Sequence, residues 1–129
     1  MSKFVGILLL LLLFTLTACG ASDDDSATLP PGDAARGEVL FAQSIKGAPA
    51  CKTCHTLDGT QSNGPSMQGY AARAATRVAD EDAATYTTNS IKRPVAFIVS
   101  GYANIMYNQY RQLLSPQEIA DLVAYLLTL

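Results

Sequence analysis

Cys51-Lys52-Thr53-Cys54-His55 decides how this chain is read. Two thiols three residues apart, with a histidine directly after, have the spacing of a covalent c-type haem attachment site. Each thiol can add across one porphyrin vinyl group to form a thioether, and the short spacing puts both on one edge of the macrocycle. His55 then lies against the ring face and offers an imidazole nitrogen to iron. Competing readings lack parts. A structural zinc site takes four Cys/His ligands, and only three stand here, with no second pair elsewhere. A thioredoxin-type redox pair expects a strand-to-helix setting in a βαβ unit, and no such pattern surrounds this one. Chance spacing is the remaining alternative, because a bare C-x-x-C is common. The adjacent histidine and an export signal upstream argue against it.

The chain has 129 residues, enough for one domain, and a formal charge of −2. That charge leaves no basic patch for nucleic acid. There is no Walker loop, dinucleotide glycine fingerprint or H-E-x-x-H zinc motif, so no small-molecule substrate or enzymatic activity is expected. There are three cysteines. Two are assigned to haem and the third, Cys19, to the N-terminal signal, which leaves none for a disulfide. The single histidine excludes a bis-histidine site within the polypeptide.

Residues 1–18 read as an export signal: Lys3 supplies the positive start, and Phe4 to Phe14 form an apolar run of mostly leucine. Leu16-Thr17-Ala18-Cys19 is similar to the bacterial lipobox, in which cleavage before the cysteine leaves a diacylglyceryl group on its sulfur. An uncleaved membrane helix would need ~20 apolar residues, and Phe4 to Ala18 falls short. The remaining alternative makes Cys19 a small residue near an ordinary cleavage site. Acylated Cys19 would begin a polar, acidic tether over residues 19–32, a flexible span of about 20 Å. Two or more acyl chains would anchor it stably. The folded domain is then expected over residues 33–129, on the extracytoplasmic face of the cell membrane.

Within that domain Asp33 reads as the N-cap of a helix from Ala34 to about Lys46, with Gly47 at C′. Gly37, Leu40, Phe41 and Ser44 or Ile45 share one face, and the glycine suits close approach of another helix. Thr56 to Gly69 is a loop rich in Gly, Ser, Asn and Pro. Tyr70 to Val78 fits a helical turn or two. Asp80-Glu81-Asp82 starts a helix that carries Lys92 and Arg93 near its end and stops at Pro94. Val95 to Val99 is expected to be helical, and Gly101 to Leu114 irregular. Ser115-Pro116-Gln117-Glu118 forms a capping box with proline at N1. It opens a last helix buried along Ile119, Leu122, Val123 and Leu126. No stretch alternates like a strand, so the class is all-α.

These segments resemble the small class I cytochromes c, in a membrane-tethered lipoprotein form. Residues 33–41 look like that family's N-terminal helix, Cys51 to His55 its attachment motif, and residues 121–126 its C-terminal helix. The resemblance implies Gly37 and Phe41 crossing Leu122 and Tyr125, over one covalent haem c. It also implies that the carbonyl of Pro65, in Gly64-Pro65, holds the proximal His55.

With no second histidine, methionine sulfur is the natural soft sixth donor, and Met67 and Met106 are the candidates. Chain reach does not choose, since His55 to Met67 could span ~40 Å. By the resemblance Met67 occupies an aliphatic core slot and Met106 the ligand loop. Two core methionines remain the alternative. The family often has proline after this methionine, where Tyr107 stands here. The implied role is an electron carrier linking a quinol-oxidising complex to a terminal oxidase or reaction centre. The alternatives are a fixed monohaem subunit of a larger respiratory assembly such as alternative complex III, and a gas-binding or enzymatic haem protein with open iron.

Overall fold

The structure is a computed structural model and describes residues 28–129. The expected signal peptide, Cys19 and most of the tether lie outside them. Five α-helices appear among the described residues, with no strand longer than an isolated bridge. None is long and apolar enough to cross a membrane.

Helix α1 (Ala34–Ala42) starts where expected. The Asp33 carboxylate accepts from the amides of Ala35 and Arg36 at 2.9 and 3.1 Å, partnering donors that a first turn leaves open. It ends at Ala42, short of the expected Lys46, because the chain turns back on itself. Ile45 and Ala48 exchange backbone hydrogen bonds of 3.2 and 2.8 Å. Lys46 and Gly47 between them both have positive φ, 51° and 87°, as a two-residue primed turn requires. Gly47 therefore belongs to this turn rather than to a helix cap.

Helix α2 (Tyr70–Ala74) is the short turn expected. Asp82 caps α3 (Ala83–Lys92), accepting from the Thr85 amide at 2.7 Å. The expected helix over Val95 to Val99 is absent. Pro94 disfavours helical geometry in the residue before it, and Arg93 sits at φ −142°, ψ 65°. Three of the apolar residues that suggested a helix, Phe97, Ile98 and Val99, instead border a cleft, Phe97 lying edge-on to Tyr86 at 5.7 Å. The irregular stretch expected from Gly101 holds one helical turn, α4 (Tyr110–Leu113). In α5 (Pro116–Leu126) the capping box is complete: Ser115 Oγ accepts from the Glu118 amide, and Glu118 accepts from the Ser115 amide.

The core forms where α1 crosses α5. Phe41 meets Tyr125 with ring centroids 5.6 Å apart. A Cβ on Gly37 would stand 1.9 Å from the Asp121 carbonyl oxygen, so the backbones can touch only at glycine. Asp121, 2% exposed, fixes the crossing. Its carboxylate accepts from Arg36 at 2.9 and 3.1 Å, the Asp33 amide at 2.7 Å and Gln117 at 2.9 Å. Hydrogen bonding from Arg36, then from Asp33 and Gln117, holds the carboxyl well below its ordinary range against the opposing effect of burial.

Packing begins ahead of the expected boundary at residue 33. Leu29 lies against the core, Gln117 donates to the Pro31 carbonyl at 2.9 Å, and Gly32 rests on the Ala120 carbonyl. The last residues of the expected tether are therefore docked on α5.

Candidate haem site

Cys51 to Thr53 form a single 3-10 turn, closed by the Cys54 and His55 amides on the Cys51 carbonyl at 3.1 and 3.0 Å. This compact turn brings Cys51, Cys54 and His55 to one cleft. The two thiols are not bonded to each other. Burial pushes the Cys51 thiol up to about 11, which disfavours its thiolate. Among the described residues no group of three His, Cys, Asp or Glu side chains is placed to hold a metal ion on its own.

His55 is fixed from two sides. Its Nδ1 lies 2.8 Å from the Pro65 carbonyl oxygen. A carbonyl can only accept, so Nδ1 carries the proton and Nε2 keeps its lone pair. Burial lowers the imidazole's basicity, partly offset by the Pro65 hydrogen bond, and so favours the neutral, ligating form. The ring also lies flat over Gly64: a Cβ there would stand 2.5 Å from Cε1 and 2.8 Å from Nδ1. Sequence reasoning used Gly64 only as part of a turn. Its place directly before a proline whose carbonyl accepts from His55 was the available signal for this cradle.

The cleft has a volume of about 290 Å³ and mainly apolar walls. One water needs on the order of 10–15 Å³, so this is room for an organic group. Met106 and Met67 both border it. Met67 is 8% exposed and belongs to the core cluster, whereas Met106 is half-buried and packs at the cluster's margin. Tyr70 also lines the cleft. Thr87 gives its only proton to the Ala83 carbonyl at 2.6 Å, so the Tyr70 hydroxyl is the donor in its 2.9 Å bond to Thr87. Burial pushes that phenol up to about 12.

A comparison with protein families matches residues 34–129 to the family described as Cytochrome c. The chain belongs to the cytochrome c family. A search of curated proteins found no match. Membership accounts for the all-α fold and makes the protein a haem-binding electron carrier with one covalent c-type haem. The residues present fit that group: an apolar cleft, two thiols and a neutral imidazole at its wall, and a glycine beneath the imidazole.

Proposed function

We propose that this cytochrome c passes single electrons between membrane complexes while tethered to the extracytoplasmic face of the cell membrane. Cys51 and Cys54 would hold the haem by thioethers, and His55 and Met106 would ligate its iron. The observation that carries the ligand reading is the His55–Pro65 bond of 2.8 Å, which orients a neutral imidazole with Nε2 unprotonated at the cleft. Met106 bordering the same cleft supports the second half of the set. A thioether donor would raise the potential, and two protein ligands would leave no iron site open for substrate. The protein's own part is to fix the ligands, exclude water with apolar walls and hold the Nδ1 proton on Pro65.

The proposed donor is a quinol-oxidising complex and the acceptor a terminal oxidase or reaction centre. Acylation at Cys19 after removal of residues 1–18 is the proposed anchor, motivated by Leu16-Thr17-Ala18-Cys19. Expression with haem maturation tests the ligand set. Covalent haem that survives acidified acetone, with the weak far-red band of ferric His/Met haem, is the expected result. Haem stripped by acidified acetone would sink the reading. The anchor is tested separately: the wild type should partition into membranes and Cys19→Ser should not.

A further inference from the structure

Between α3 and α4, Arg93 to Gln109 contains no helix, yet this stretch carries Met106. Aromatic contacts hold it at both ends. Near its start Phe97 meets Tyr86. Near its end Tyr107 meets Tyr110 edge-on, with centroids 5.1 Å apart and planes at 70°. Tyr110 is 5% exposed, and its hydroxyl donates to the Pro49 carbonyl at 2.7 Å. Pro49 lies two residues before Cys51. One buried side chain thus connects the neighbour of Met106 to the segment entering the attachment turn. Burial raises the Tyr110 phenol above its ordinary range, so its O–H remains available to donate.

We propose that Tyr110 is a positioning residue that braces the Met106 loop against the haem-attachment turn through its bond to Pro49 and its ring contact with Tyr107. The inference rests on the reading of Met106 as sixth ligand. Methionine sulfur is a weak donor whose hold on iron depends on the loop remaining in place. The brace suppresses the open form in which an external ligand could replace it. Both tyrosines border the cleft, and neither is proposed as an iron ligand. Their effect is on the population of the open form, and an external ligand's apparent affinity scales with that population.

The test uses the full haem-loaded protein in the ferric state, titrated with imidazole and followed by the shift of the main haem absorption band, which every variant retains, with the far-red band as a second readout where it is present. Tyr110→Phe keeps the ring and removes only the hydroxyl. Losing one buried neutral hydrogen bond should tighten apparent imidazole binding about five- to tenfold. Tyr107→Leu removes the ring contact and should shift it in the same direction. The double variant should fall short of the product of the two effects, because both act through one connection. Wild-type imidazole affinity in both single variants, with tighter binding in Met106→Ala, overturns the brace and leaves the ligand reading standing. Unchanged affinity in Met106→Ala overturns the ligand reading, and the brace falls with it. Should Tyr110→Phe fail to load haem, Tyr107→Leu alone decides: wild-type affinity there overturns the proposal.

Discussion

Gly37 of α1 lies against the backbone of Asp121 in α5 so closely that a Cβ would reach within 1.9 Å of the Asp121 carbonyl oxygen and 2.7 Å of the Tyr125 Cβ. Two effects of opposite sign meet in Gly37→Ala. Helix propensity favours alanine by about 1 kcal/mol. Forcing the helices apart costs about 1–3 kcal/mol or more, since the obstacle is backbone and cannot rotate away. Net destabilisation is expected, and denaturant unfolding of the haem-loaded variant measures it. A gain in stability would show that the crossing yields more easily than its contacts suggest.

Asp121 makes stability depend on acid. Its folded pKa is depressed by Arg36 first and then by the Asp33 amide and Gln117, while an unfolded aspartate titrates near ~3.9. The unfolded chain therefore takes up the proton first as pH falls. The contribution is fully present above roughly pH 5 and is lost as pH drops through ~3.9 toward the folded value. Asp58, Asp82 and Glu118 are lowered too, with the same sign. Asp121→Asn should flatten the acid limb of a stability–pH profile and cost about 1–3 kcal/mol at neutral pH. Much of that cost comes from weakened bonds to buried donors. The Arg36 side chain is 58% exposed, and water screens its charge.

The two ends of α5 should respond unequally. Ser115→Ala removes the acceptor for the Glu118 amide and should cost about 1 kcal/mol. Tyr125→Ala empties a site against Phe41, in the core where α1 meets α5, and should cost about 3–5 kcal/mol. Equal small losses in thermal unfolding would contradict the packing of the crossing.

Much of this architecture was legible because its signals are local. Asp33, Asp82 and Ser115 each cap the helix that follows by reaching its own first amides, and short-range chemistry of that kind shows in a single sequence. The attachment motif is equally local. The end of α1 was not legible, because Lys46 adopts positive φ only as part of the Ile45–Ala48 pairing. Val95 to Val99 misled for a different reason: these residues are apolar, but most of them border the haem cleft rather than lie along a helix face. Asp121 and Tyr110 act through partners 85 and 61 positions away, which no spacing rule reveals.

Gly64→Ala tests the seat of His55, the proposed iron ligand. The added methyl would stand 2.5 Å from His55 Cε1, so the ring must tilt or move away from the Pro65 carbonyl. The fold should largely survive, because Gly64 lies outside the α1–α5 crossing. Haem should still attach through the two thiols, with a shifted absorption spectrum and altered potential. An unchanged spectrum and potential would mean the ring can slide without losing its ligand geometry.

Met106 and Met67 give the sharpest contrast, because both border the cleft and only one is proposed to bind iron. A thioether favours ferrous over ferric iron, so losing it lowers the potential. Met106→Ala should keep covalent haem, since Cys51, Cys54 and His55 are untouched. It should abolish the far-red band, lower the potential and let carbon monoxide bind readily to the ferrous form. Met67 is 8% exposed within the core, and Met67→Leu roughly conserves volume, so its cost should stay below about 1.5 kcal/mol. It should leave band, potential and carbon monoxide binding unchanged. Loss of the band on changing Met67 alone would reverse the assignment. A wild type without the band, with potential and carbon monoxide binding unchanged in both variants, would move the sixth ligand to another group, and the closed-iron electron carrier proposed here would then need a different donor to close it.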